Sequence, residues 1–183
     1  MYTVINNFID SKLQEKIIDI LMDGTEDTGL KWLFSSSTAN PPAPADDFIA
    51  ESFYMCAPIY EGSHHYDTMI QLLKSGLNAA GMSYKEIKRI RCNLDTRLFY
   101  LDAGKHHTIH VDSQDKKEFV FLYYVLDSDG DTVLFNKDKK VVDRISPEQG
   151  KGLIFPASMP HCGSSPALNP YRFVINFNFT LAE

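Results

Sequence analysis

Tyr171-Arg172-Phe173-Val174-Ile175-Asn176-Phe177-Asn178-Phe179-Thr180 alternates with a period of two. In an extended strand Tyr171, Phe173, Ile175, Phe177 and Phe179 share one face, and Arg172, Val174, Asn176, Asn178 and Thr180 share the other. The aromatic face is apolar enough to pack beneath helices. The opposite face is polar, yet the stretch as a whole is too apolar for a surface edge. Arg172 and Asn176 are therefore candidates to enter a polar interior cavity. The plainer alternative is a half-exposed strand with a solvated arginine.

Working back from this stretch, the second half of the chain keeps the same texture. Residues 97–101, 109–112, 118–126, 132–135, 141–145 and 152–155 read as further strands. Turn signals separate them: Ala103-Gly104, Asp127-Ser128-Asp129-Gly130, Pro147-Glu148-Gln149-Gly150 and Asn169-Pro170. Several short strands at this spacing predict a β-sandwich or a jelly-roll barrel, and so an α+β chain that is mainly β.

The first 90 residues read as helical support with long connections. Leu13, Ile17, Ile20 and Leu21 recur at helical spacing over residues 11–22, with Ser11 and Gln14 as a capping box just after Asp10 and Gly24 as the stop. Met69, Leu72, Leu73, Leu77 and Ala80 form the buried face of a second helix over 66–80, closed by Gly81. Trp32-Leu33-Phe34 reads as a short strand, and the Pro-rich stretch 35–47 as a loop. The expectation is a single domain over 1–183. Residues 1–90 lay helices on one outer face, and residues 91–183 form the barrel.

Composition narrows the function classes. The chain has 183 residues, 44% of them apolar and 23% charged, with a net charge of −6. That balance suits a soluble globular protein and argues against binding duplex DNA, which needs an excess of Lys and Arg. No window approaches the run of about 18 apolar residues that a membrane helix needs. The N-terminal residues lack the basic and apolar segments of a secretory leader. Cys56, Cys92 and Cys162 form no C-x-x-C pair and no even framework, so three free thiols in a reducing, cytoplasmic setting are expected.

The chemistry-bearing residues lie in the strand half. His110-Val111-Asp112 places an imidazole and a carboxylate on one strand face. His161 is expected in a loop after the strand at 152–155, and Arg172 comes eleven residues later. Two His and one carboxylate can occupy one face of an octahedron and leave three cis positions open, an arrangement suited to non-haem Fe(II) and oxygen chemistry. His106 and His110 are four apart, but Gly104 and the strand pattern argue against a helical zinc pair. His106 and His107 read as rim or loop residues. Asp127 to Asp131 lacks the glycine placement and closing Glu of a calcium loop and reads as a polar turn. Asn178-Phe179-Thr180 matches a glycosylation sequon but reads as strand sequence.

From about Arg97 to Phe179 the sequence resembles the 2-oxoglutarate- and Fe(II)-dependent dioxygenases, in their prolyl hydroxylase-like branch. The resemblance rests on five stretches in the family's order and spacing. They are Tyr100…Gly104…His110-Val111-Asp112, Phe121-Leu122-Tyr123-Tyr124-Val125-Leu126, Gly130-Asp131-Thr132-Val133-Leu134-Phe135, Pro147 to Phe155 leading to Pro160-His161, and Tyr171-Arg172-Phe173. It implies a double-stranded β-helix (jelly-roll) core. It implies Fe(II) held by His110, Asp112 and His161, and 2-oxoglutarate as co-substrate, with ascorbate as a stimulant. Arg172 would pair with the distal carboxylate of 2-oxoglutarate, helped by the Tyr124 hydroxyl. Tyr100 would lie near the chelating end, and Asn176 would face the metal centre from the Arg172 strand.

The implied reaction couples oxidative decarboxylation of 2-oxoglutarate, giving succinate and CO₂, to hydroxylation of a C–H bond. A prolyl or other protein or peptide side chain is the expected substrate, with a small molecule as the alternative. Two departures stand out: Asp129-Gly130 where the family often has Gly-Gly, and Arg172 where collagen-type prolyl hydroxylases carry Lys. Residues 35–47 and 113–117 are the expected substrate rim. Rival readings are a cupin-like metal enzyme that uses no keto acid and a non-catalytic barrel that binds metal or keto acid. The sequence carries no signal for oligomeric state.

Overall fold

A computed structural model describes residues 1–23, 29–35, 54–97 and 106–182. Its elements are β1 (Thr3–Ile5), α1 (Ser11–Met22), β2 (Leu33–Ser35), β3 (Tyr54–Ile59), α2 (Tyr66–Ala79) and β4 (Tyr84–Thr96). There follow β5 (Glu118–Tyr124), β6 (Thr132–Phe135), β7 (Val141–Ile145), β8 (Gly152–Pro156), β9 (His161–Gly163) and β10 (Tyr171–Leu181). Among the described residues the strands form two sheets. The larger runs β1-β8-β5-β10-β4-β3-β2 and the smaller β7-β6-β9. Neighbouring strands pair antiparallel in both.

The alternating C-terminal stretch is thus the central strand of the larger sheet. Its two faces open onto two cores. Phe173, Ile175, Phe177 and Phe179 pack with the buried faces of α1 and α2 and with Phe121 and Tyr123 of β5. Between the sheets, Val174 packs with Val120, Leu122 and Tyr124 of β5, Leu153 and Phe155 of β8, and Leu134 and Ile145 of the smaller sheet. A period of two sends successive residues of β5 and β10 to opposite cores, and this builds the jelly roll with both helices on one outer face. No helix among the described residues is long and apolar enough to cross a membrane.

Local chemistry explains the helix boundaries. The N-cap of α1 is Asp10, whose side chain accepts the Leu13 amide at 2.8 Å. This corrects the expected Ser11–Gln14 capping box: the Gln14 side chain instead reaches the Ile9 carbonyl and Gln149. Gly24 lies outside the described residues, and Asp23 caps the end of α1. After α2, Gly81 takes φ +67°. The Met82 amide donates to the Leu77 carbonyl at 2.8 Å and the Gly81 amide to Asn78 at 3.0 Å, the glycine stop expected from sequence. Within α2, Gly76 lets the helix seat on the sheet, because a Cβ there would lie 2.5 Å from Cζ of Phe121.

Three expectations need correction, and a fourth lies almost wholly outside the described residues. Residues before 91 are not only helical support: β1, β3 and most of β4 belong to the larger sheet. β4 escapes a hydrophobic reading because its cleft-facing positions carry Arg89, Arg91, Asn93 and Asp95. Residues 109–112 form no strand beyond a single bridge, His110 to His161. His161 opens a three-residue strand and is not in a loop. Of the strand expected at 97–101, only Arg97 is described, and its amide donates to the Pro170 carbonyl.

Candidate active site

His110 and Asp112 sit in a segment with little regular structure, yet backbone bonds hold it firmly. The His110 and His161 amides donate to each other's carbonyls at 3.0 and 2.9 Å. The Asp112 and Ser113 amides both donate to the Ala157 carbonyl, at 2.9 and 3.2 Å. The segment is thereby stitched to the β8–β9 connection, and three side chains distant in sequence converge. Asp112 Oδ1 lies 3.7 Å from His110 Nε2 and 3.9 Å from His161 Nε2. The ligand atoms of the three residues all lie within 4.8 Å of one another.

The surrounding bonds aim these atoms at a common point. His110 donates from Nδ1 to the Thr108 carbonyl at 3.1 Å, and His161 from Nδ1 to the Met159 carbonyl at 2.9 Å. In the neutral form each ring therefore presents an unprotonated Nε2 inward, the tautomer a metal requires. Asp112 is oriented in the same way. Its Oδ2 accepts from Arg89 at 3.1 Å, Asn178 at 3.0 Å and Asn176 at 3.3 Å, which leaves Oδ1 turned toward the imidazoles.

The electrostatics suit a cation. Burial alone would raise the Asp112 carboxyl, but His161, Arg89, Asn178 and His110 outweigh it and hold it down at about 2. Burial, reinforced by His110, pushes His161 down to about 4. At neutral pH the pair is a carboxylate beside a neutral imidazole, the forms in which these groups ligate a metal. Two imidazole nitrogens and one carboxylate oxygen match the donor set of an Fe(II) facial triad.

An open cleft joins His110 and Arg172, walled by Tyr54, Arg91, Asn93, Asp95, His107 and Gly163. At its far end Arg172 is 4% exposed. It donates from one terminal nitrogen to Asp95 at 2.9 Å and from the other to Thr132 Oγ1 at 2.8 Å. The Tyr124 hydroxyl donates to the same Thr132 oxygen at 2.8 Å. Burial pushes the Tyr124 phenol up to about 12, so it stays a protonated donor. Three polar atoms of cleft-lining residues lack a hydrogen-bond partner: Arg91 Nε, Asn93 Oδ1 and Arg172 Nε. Buried orphans gathered on one surface mark a place where a ligand completes the bonding.

Of the residues singled out from sequence, His110, Asp112 and His161 come together, and Arg172 and Tyr124 meet through Thr132. Asn176 bonds Asp112 and not the Arg172 end. Tyr100 lies outside the described residues. His107 is buried in the cleft wall with its Nε2 2.9 Å from the Ser165 hydroxyl, while His106 packs edge-on against Phe135. Sequence reasoning missed Arg89, Arg91, Asn93, Asp95 and Thr132. The period-two pattern Arg89-Ile90-Arg91-Cys92-Asn93-Leu94-Asp95 was the available signal for four of them and their strand. Asn178, read only as strand sequence, is a support for Asp112.

The jelly roll brings together a His-Asp-His set that could hold a metal ion and a cleft that reaches a buried guanidinium. Residues 96–180 match the family described as the 2OG-Fe(II) oxygenase superfamily. No curated protein matches the chain in sequence. Solved structures share its fold. A 2OG-Fe(II) oxygenase family oxidoreductase from Burkholderia pseudomallei aligns with a TM-score of 0.70 at 12% identity, over 98% of this chain and 84% of that one. A prolyl hydroxylase from Trichoplax adhaerens, complexed with a hypoxia inducible factor peptide fragment, aligns at 0.64 with 16% identity, over 98% and 83%. The α-ketoglutarate dependent epimerase SnoN from nogalamycin biosynthesis aligns at 0.64 with 11% identity, over 98% and 77%.

Proposed function

We propose that this protein is an Fe(II)- and 2-oxoglutarate-dependent dioxygenase that hydroxylates a C–H bond of a protein or peptide side chain, a prolyl residue foremost. The co-substrate leaves as succinate and CO₂. One observation carries the reading: a single polar cleft has His110 of the triad at one end and the buried Arg172 guanidinium at the other. A peptide-bound prolyl hydroxylase among the structures of similar fold supports the choice of substrate class.

His110, Asp112 and His161 would hold the iron, which supplies the oxidising chemistry when bound. Arg89, Asn176 and Asn178 keep the ligating carboxylate oriented. Arg172, Thr132 and the Tyr124 hydroxyl form the anchor for the distal carboxylate, where a guanidinium fork offers charge-assisted bonds. Ascorbate is expected to stimulate turnover. Free thiols at Cys56, Cys92 and Cys162 fit a reducing, cytoplasmic setting.

The test is incubation with Fe(II), ascorbate and 2-oxoglutarate in air, with succinate measured and a peptide library scanned by mass spectrometry for oxygen gain. Succinate release that depends on His110 and Arg172 supports the proposal; no succinate with any peptide overturns it. A second reading, a metal enzyme without keto acid, is favoured by one feature: Arg172 already carries a carboxylate partner in Asp95. Failure of the metal-loaded protein to bind 2-oxoglutarate would select it.

A further inference from the structure

The register of the central sheet sets Asp95 of β4 directly across from Arg172 of β10. Their side chains form an ion pair of 2.9 Å, with Asp95 5% and Arg172 4% exposed. The guanidinium has little room to leave this partner. A Cβ on Gly130 would lie 2.9 Å from Arg172 Cδ, and one on Gly163 would lie 3.4 Å from its terminal nitrogen, so both glycines are packed against it. The second terminal nitrogen is held by Thr132, and Nε has no partner. The group that would anchor a keto acid's distal carboxylate is therefore already occupied, on one edge, by a carboxylate of the chain itself.

We propose that Asp95 is the residue that sets co-substrate affinity and selectivity: an internal carboxylate that competes for the Arg172 clamp, weakens binding of a dianionic keto acid and narrows the preference for it over a keto acid with an uncharged tail. The inference rests on the proposed co-substrate. Its physical basis is charge. A second carboxylate entering the clamp meets Asp95 as well as Arg172, and like charges sharing one buried site repel. The cleft wall supplies no replacement cation at His107, because burial drives that imidazole toward its neutral form.

The test is calorimetric titration of the Mn(II)-loaded protein with 2-oxoglutarate, and separately with 2-oxovalerate, in which a methyl group replaces the distal carboxylate. Asp95→Asn keeps the shape and removes the charge. It should bind 2-oxoglutarate roughly tenfold tighter than the parent, with 2-oxovalerate affinity unchanged. Arg172→Gln should erase the difference between the two acids. An Asp95→Asn protein with equal or weaker 2-oxoglutarate affinity overturns the inference while leaving the co-substrate reading intact, because Asp95 would then be a positioning partner of Arg172. Mn(II) binding without 2-oxoglutarate binding in parent and variant alike overturns the co-substrate reading and this inference with it. Asp95→Ser, read by the rise in Tm that each acid produces, gives the same comparison should Asp95→Asn fold poorly.

Discussion

On one side of β10, Phe173, Ile175, Phe177 and Phe179 are buried against the helical layer; on the other, Arg172, Asn176 and Asn178 are buried almost as deeply. Depth therefore does not distinguish the two faces, but partners do. The aromatic face meets apolar surface, as in the stacked pair Phe121–Phe177 with centroids 5.5 Å apart. The polar face meets Asp95, Asp112 and Thr132, and Arg172 Nε and Asn176 Oδ1 stay without partners. One strand thus divides its labour: the first face stabilises the fold by removing apolar area from water, and the second holds charged and polar groups in a fixed arrangement. Substitutions on the two sides should separate stability from ligand binding.

The largest expected effect lies on the cleft side. His110→Ala removes one of the three proposed ligands from a partly exposed position, so iron affinity should fall by more than about 100-fold while the melting curve of the metal-free protein barely moves. Anaerobic Fe(II) titration followed by a thermal melt checks both halves. An unfolded variant would break the proposed division between the faces.

Phe177→Ala tests the opposite face. Phe177 is fully buried and stacked on Phe121. Its truncation should cost about 3–5 kcal/mol in denaturant unfolding. Metal affinity per folded molecule should stay near the parent value. A large loss of affinity in the folded fraction would mean that the faces are coupled through the strand.

Asn178→Ala sharpens the comparison within the polar face. It removes one of three donors to Asp112 Oδ2 without touching a ligand. Metal affinity should drop roughly tenfold, the usual scale for a group that orients a ligating side chain. Arg89→Gln should act in the same direction, and less strongly, because Arg89 is partly exposed. Unchanged affinity in both variants would leave Asn176 as the sole orienting contact.

What could be read in advance follows the same physical line. The helices, the barrel strands from β5 onward and the two faces of β10 were legible because apolar periodicity reports burial directly. The proposed ligand set could be picked out because two His and one Asp stand at the spacing that the family resemblance supplies. β4 was not, because its charged inward positions imitate a solvated surface. Asp95 and Arg89 could not be assigned partners, since their contacts depend on how β4 pairs with β10, and one residue of slip would turn both side chains away from the cleft. β9 has too few residues for a period to show. The turn at Asp129 shows both sides of this limit. It reads from sequence as a polar turn, yet its carboxylate proves to be an anchor: it accepts the Ala167, Leu168 and Asn169 amides at 3.0, 2.8 and 3.0 Å.

That anchor gives the smallest effect, and one that depends on pH. Partial burial alone would raise the Asp129 carboxyl, but the amides of Asn169, Leu168 and Ala167 outweigh it and hold it below the ordinary aspartate value. A carboxyl depressed in the folded state is bound less tightly by protons there than in the unfolded chain. Its contribution is therefore fully present above about pH 4, the unfolded value, and is lost as pH falls through the lower folded value. Asp129→Asn keeps an acceptor but removes the charge. It should destabilise the protein by at most about 1 kcal/mol at pH 7, since solvent screens a partly exposed group. The gap between parent and variant should close as the pH is taken below 4. Because this loop leads into Arg172, the same variant should loosen the cleft from its arginine end and leave the triad end alone. A 2-oxoglutarate titration that weakens while Fe(II) affinity holds would show that the two ends of the cleft are anchored independently; a parallel loss of both would show that the polar face of β10 responds as one unit.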